Sequence, residues 1–177
     1  KYMEANPEVD RWKIGGVHYL IPVLHYHWRM SAPMPVARQD MMEKAGLSAP
    51  EDFDQLYEFL KELKKANPEA SGYTARNGIK RTLMLASYPM GSGLGGWFKG
   101  REGPYYDKDV DGGKWLLGQI HPEFKDALAF FAKLYQEGLL HPDIASMTSE
   151  QWHEQNSSVG MFSWDHYGFA NRWNNAF

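Results

Sequence analysis

Between positions 53 and 63 the apolar residues Phe53, Leu56, Tyr57, Leu60 and Leu63 recur at spacings of three and four. That spacing puts them on one stripe of an α-helix and predicts a helix from Glu51 to Lys65 with one face toward a core. Pro50 is expected in its first turn, where a missing N–H is harmless. Glu51, Asp52 and Asp54 crowd its start and Lys61, Lys64 and Lys65 its end, so the charges oppose the helix dipole at both poles. Asn67-Pro68 stops it, since the residue before a proline is pushed out of the helical region. Just upstream, the stretch from Arg38 to Ala45 predicts a shorter helix closed by Gly46, which takes left-handed backbone without a β-carbon in the way. A second long helix opens at Pro122, carries Phe124, Ala127, Leu128, Phe131, Leu134 and Tyr135 at helical spacing, and closes at Gly138.

Shorter elements lie between these helices. Residues Tyr2 to Val9 read as the tail of a helix broken at Asn6-Pro7. Gly15-Gly16 followed by the run Val17 to Ile21 is a hairpin or a strand ending at Pro22. Val36-Ala37 is a short strand feeding the first helix. The loop Glu69 to Lys80 is polar, and Arg81 to Ala86 is helix or strand by periodicity alone. The run Gly91 to Gly100 cannot be a stable helix, because each interior Gly costs about 1 kcal/mol relative to Ala; it is a loop carrying Trp97 and Phe98. Tyr105-Tyr106 and Lys114 to Leu117 flank Asp107 to Gly113 as two strands around a turn. Thr148 or Ser149 caps a short helix through Gln155, Val159 to Trp164 is a buried strand, and Tyr167 to Phe177 is helical. Helices alternating with short strands place the chain in the α/β class.

At 177 residues the chain is long enough for one sizeable core or two small ones. Hydrophobic residues at 43% and charged residues at 23% are ordinary for a soluble globular protein. The net charge of −3, with scattered Lys and Arg, offers no footprint for nucleic acid. No apolar run approaches the ~20 residues that would span a bilayer, and no signal peptide is visible. The absence of cysteine excludes disulfides, thiolate metal sites and a cysteine nucleophile. The chain opens at Lys1 without Met and stops at Phe177 inside an expected helix, so a piece of a longer protein is expected. The aromatic share of 15% is high, and many rings fall in loop-like segments, which calls for a reason beyond core filling.

The order of segments resembles the extracellular solute-binding proteins of bacterial ABC importers, in the oligosaccharide-type lipoprotein branch of family 1. The matching stretches are Trp12 to Pro22, Ala37 to Leu47, Pro50 to Lys61, Pro122 to Leu128, Leu134 to Pro142, and Val159 to Phe162, in the family's order along nearly the whole chain. The resemblance implies part of a two-lobed type II periplasmic-binding-protein fold, with a helix-rich lobe and a short mixed sheet. Residues 1–36 would then end the first lobe and cross the hinge, and residues 37–177 would form the second lobe without its C-terminal return. It also implies a cell-surface lipoprotein, a monomer, that binds an oligosaccharide and delivers it to a membrane permease of the importer. Two departures stand out. After the long helix many relatives carry an Asp/Asn-rich, calcium-loop-like segment, where this chain has Asn67-Pro68-Glu69-Ala70, with too few oxygen ligands for calcium. Arg38-Gln39-Asp40-Met41 also lacks the family's aromatic residue.

A carbohydrate site needs flat rings for the C–H faces of a sugar and planar donors or acceptors for its hydroxyl rim. Three clusters supply that mixture: Tyr26, His27, Trp28 and Arg29; Trp97 with Lys99; and Trp164 with Asp165, His166 and Tyr167. Any one of these tryptophans could equally be core, but three clusters at expected strand ends and loops favour binding, because ligands of α/β proteins gather there. Gly91, Gly93 and Gly96 match a dinucleotide-binding spacing without the helix that would receive the phosphate. Asp107, Asp109 and Asp111 copy half of a calcium loop, but Gly118 stands where the bidentate Glu belongs, so a hairpin turn explains them better. His18, His25 and His27 lack a fourth ligand for zinc. No metal or cofactor is therefore expected. No catalytic pattern emerges; of the acids, only Asp165, beside Trp164 at an expected strand end, is not explained by capping or solvation. The expected function is non-enzymatic carbohydrate binding. The alternatives are a carbohydrate-active enzyme such as a glycoside hydrolase, and an isolated lobe with no activity of its own.

Overall fold

The structure is a computed structural model that describes residues 2–19, 33–90, 104–107 and 111–166. The chain divides into two units, Lys1–Ser31 and Ala32–Phe177.

In the first unit, helix α1 (Tyr2–Ala5) ends where expected, at Asn6-Pro7, and a 3₁₀ helix follows over Pro7–Trp12. The Gly15-Gly16 turn closes a single antiparallel bridge between Ile14 and Val17. Asp10 accepts from Lys13 Nζ at 2.7 Å and lies 3.0 Å from His18 Nε2. Those two partners, Lys13 first, hold its carboxyl below the usual carboxylate range. The expected strand beyond Tyr19 lies outside the described residues.

The second unit is built on strands β1 (Pro33–Ala37), β2 (Tyr73–Thr74) and β5 (Phe162–His166), with β5 in the middle. β1 runs antiparallel to β5, with Ala37 opposite Phe162 and Pro33 opposite His166; β2 runs parallel to it, with Tyr73 opposite Phe162. A parallel bridge from Tyr73 to Leu140 extends the sheet by one residue. Both prolines of β1 sit on an edge strand, the place in a sheet where a missing N–H is tolerated. A separate hairpin pairs β3 (Tyr105–Asp107) with β4 (Lys114–Leu116), as the two-strand pattern predicts, and sets Tyr106 opposite Trp115.

Helices α2 (Gln39–Ala45), α3 (Phe53–Ala66), α4 (Ile79–Leu85), α5 (Pro122–Gln136) and α6 (Ser149–Asn156) surround the sheet. α2 stops at Gly46, left-handed at φ 66°. α3 starts two residues later than expected, because Asp52 caps it by accepting Gln55 N–H at 2.7 Å, and this leaves Pro50 outside the helix. Its buried face is Leu56, Phe59, Leu60 and Leu63, with Phe53 and Tyr57 at the margin. On α5 only Ala127, Phe131 and Leu134 are buried, while Leu128 and Tyr135 face outward. At the start of α6 it is Thr148 that caps, in a full capping box with Gln151.

The main departure from the periodicity reading is the segment Glu69 to Lys80. It holds β2 and the first turn of α4, and Tyr73 is fully buried between Phe131 and Phe162, at ring centroid distances of 6.2 and 5.0 Å. A two-residue strand is too short for any periodic signal. The strand expected at Val159 to Trp164 is real but shifted toward the C-terminus, since Ser157 to Val159 form the turn that ends α6. The expected loop from Gly91 to Gly100 and the helix from Tyr167 onward lie outside the described residues. Among the described residues no helix is long and apolar enough to cross a membrane.

Candidate functional site

The last residues of β5 concentrate the chemistry. Successive side chains of a strand point to opposite faces. Phe162 and Trp164 face α3 and α5: Phe162 packs edge-on to Phe59, and Trp164 lies nearly parallel to Phe53, with centroids 6.2 Å apart and planes 9° from parallel. Phe53 is held in turn by Phe130, edge-on at 5.5 Å. Trp164 stays half-buried. Its indole Nε1 is shielded from solvent and has no hydrogen-bond partner among the described residues, a donor that a ligand oxygen or an ordered water would satisfy.

Ser163 and Asp165 face the other way. The Ser163 hydroxyl accepts from Trp152 Nε1 at 3.0 Å and donates to the Thr74 carbonyl at 3.0 Å. Asp165 is 1% exposed, and both its oxygens are engaged by two guanidinium groups. Arg76 reaches it through Nε and Nη2 at 2.9 and 3.0 Å, and Arg81 through the same pair of atoms at 3.2 Å each. Fork-to-carboxylate geometry of this kind fixes orientation as well as charge. Arg76 also lies over the Trp152 ring, 5.7 Å from its centroid. Nearby, burial raises the Tyr73 phenol above its ordinary pKa.

The nine residues expected in a ligand site fall out unevenly. Trp164 and Asp165 are adjacent at this sheet end, on opposite faces. Tyr26, His27, Trp28, Arg29, Trp97, Lys99 and Tyr167 lie outside the described residues. Of the acids weighed for calcium, Asp107 ends β3, Asp109 is outside the described residues, and Asp111 sits exposed in the hairpin turn, 3.5 Å from Lys114 Nζ. Among the described residues no group of three or more His, Cys, Asp or Glu is arranged to hold a metal. Sequence reasoning missed Arg76, Arg81 and Trp152. Arg76 lay in a segment read as polar loop, and nothing in local spacing links it to an acid 89 positions later.

Residues 6–167 match the model of the family described as bacterial extracellular solute-binding protein. The chain belongs to that family. Lipoprotein LipO of Bacillus subtilis (strain 168) is 35% identical over 126 residues, which cover 67% of this chain and 23% of LipO. Among solved structures, a sugar transporter from Arthrobacter chlorophenolicus A6 with bound laminaribiose is similar at 23% identity and a TM-score of 0.58, over 81% of this chain and 34% of that one. The alginate-binding protein AlgQ2, in a form without calcium ion, is similar at 21% identity and a TM-score of 0.63, over 94% of this chain and 33% of its own. This member of the solute-binding family thus spans a quarter to a third of the relatives it matches. It shares their fold, in agreement with the α/β class and the short mixed sheet among helices.

Proposed function

We propose that this chain is part of an extracellular protein that binds an oligosaccharide, without chemical turnover, for uptake by an ABC importer. Family membership supports the binding role, and the laminaribiose and alginate of its structural relatives support a carbohydrate. The observation that carries the reading is Trp164: a half-buried ring near the end of the central strand, backed by the nearly parallel, offset ring of Phe53 and with an N–H that has no partner among the described residues. Such a ring can take the apolar face of a sugar on its free side while the polar rim finds planar partners. Tyr26, His27, Trp28, Arg29, Trp97, Lys99 and Tyr167 are the other ring-bearing and polar contacts in this reading, with residues 1–36 belonging to one lobe and 37–177 to the other, and closure about the hinge completing capture. Attachment to the cell surface as a lipoprotein, a monomeric state and delivery to a membrane permease belong to the same proposal, which needs no cofactor.

Ligand-dependent thermal shift of the complete polypeptide against an oligosaccharide panel, with product analysis of the same samples, tests it. Stabilisation without new reducing ends is expected. Release of reducing ends would replace the binding role with a hydrolase. Trp164→Ala is expected to weaken binding at least tenfold with the fold retained. If that variant binds normally, Trp164 is core.

A further inference from the structure

We propose that Arg76 and Arg81 are positioning residues for the ligand site: by gripping Asp165 from two directions they hold the end of β5, and with it the plane of Trp164. The inference rests on the binding role proposed for Trp164 and adds the residues that set its geometry.

The sheet holds that strand end from one side only. On one side the parallel partner β2 stops at Thr74, opposite Ser163, so residues 164 to 166 have no β2 neighbour. On the other side β1 does pair with them, Met34 opposite Asp165, with Pro35 and Pro33 at the alternate positions that point away from β5, as the Arg38 N–H bond to the Met161 carbonyl in the same register shows. A strand end paired on one side only is held less firmly than the middle of the strand. The side chains supply a substitute at that point. Arg76 lies two residues beyond β2, where a continued ladder would set it opposite Asp165, and Arg81 lies in the first turn of α4; both close on the Asp165 carboxylate in two-pronged fashion. Arg76 is backed by the Trp152 ring, itself fully buried and bonded to Ser163. Two elements, the β2–α4 loop and α4, are thereby bonded to one carboxylate, and α6 backs the first of them through Trp152. Because adjacent strand residues point to opposite faces, fixing Asp165 on one face fixes Trp164 on the other. A binding ring needs this support, since small displacements of a contact group lose much of its affinity.

The test uses the complete polypeptide and three substitutions: Asp165→Asn, whose amide cannot accept from two guanidinium forks, and Arg81→Lys and Arg76→Lys, which keep the charge and lose the fork. The two lysine variants read the grip even if Asp165→Asn fails to fold. Leu63→Ala, in the core at the other end of α3, is the control for general destabilisation. Affinity for the sugar found by the panel is measured at 20 °C, and Trp164 is followed by fluorine NMR of 5-fluorotryptophan protein, its line identified with Trp164→Phe. Each grip variant is expected to bind roughly tenfold more weakly and to show a shifted or broadened Trp164 line, while Leu63→Ala lowers Tm and binds within about twofold of wild type. Wild-type affinity in the grip variants overturns the proposal, whatever happens to Tm. If the wild-type protein binds no sugar, the binding role falls, and the positioning claim is then judged on the unliganded Trp164 line: a changed line upholds it and an unchanged line overturns it.

Discussion

The Trp152 indole N–H donates to the Ser163 hydroxyl at 3.0 Å, joining α6 to the middle of the central strand inside the core. Ser163 passes the bond on to the Thr74 carbonyl at 3.0 Å, and Asn156 completes the link through Thr74 Oγ1 and the Trp152 carbonyl. Ser163→Ala leaves a buried indole N–H without its acceptor and is expected to destabilise by about 1–3 kcal/mol. Adding Trp152→Phe removes the orphaned donor, so the double variant should lose less than the sum of the two single losses. Urea unfolding of the four proteins measures this, and strict additivity would deny the coupling.

Gly72 and Gly138 are both left-handed, at φ 81° and 70°. A β-carbon on Gly72 would stand 2.8 Å from the Leu139 carbonyl oxygen, the same atom that accepts from Tyr73 N–H at 2.7 Å, whereas one on Gly138 meets nothing within 4 Å. Gly138→Ala should therefore lose only the backbone term of about 1–2 kcal/mol. Gly72→Ala should lose more, because it also pries apart the bridge between Tyr73 and Leu140. Equal melting temperatures for the two variants would contradict this.

Lys64 turns the chain after α3 around its own ammonium group, donating to the Pro68 carbonyl at 3.1 Å and to the Ala70 carbonyl. A tethered cation thus gathers the carbonyls of the loop after α3. Lys64→Met is expected to destabilise by about 1.5–3 kcal/mol, the range for hydrogen bonds to a charged group. Addition of EDTA or of calcium should leave the melting temperature of the wild-type protein where it was; a calcium-dependent rise would mean that a metal, not Lys64, orders this loop.

His141 accepts the Asp143 N–H on Nδ1 at 3.0 Å. Burial lowers its pKa below the ordinary histidine value, with nearby Asp143 pulling less strongly the other way. The unfolded chain therefore takes up this proton first as pH falls. The contribution to stability is whole above the unfolded pKa of about 6.5 and is lost as pH drops from there through the folded value. The difference in melting temperature between wild type and His141→Gln should accordingly grow from pH 5 to pH 7.5. A flat difference would show that His141 titrates alike in both states.

Helices were legible where a single face repeats. The spacing of Leu56, Leu60 and Leu63 and the Pro122 to Gly138 frame predict α3 and α5 to within two residues at each end, because a helix is closed by hydrogen bonds within one short segment. Small displacements came from side chains competing for the cap, as Asp52 does at α3. Of the candidate site, the position of one ring was legible: Trp164 stood out beside polar groups at an expected strand end, and it lies in the second half of β5. Asp165 stood out as a polar contact, and its carboxylate turns out to be gripped by two arginines from inside the fold.

What the sequence alone determined is the set of elements with local periodicity, the glycine stop of α2 at Gly46, and a family signature spread along most of the chain. The tertiary structure decided which strands pair, that Tyr73-Thr74 is a buried strand inside a polar segment, and that Asp165 meets Arg76 and Arg81 across 89 and 84 positions. The physical reason is range. A helix writes its hydrogen bonds into neighbouring residues, whereas a two-residue strand and a buried ion cluster acquire their partners only when the sheet order β1-β5-β2 brings distant segments together.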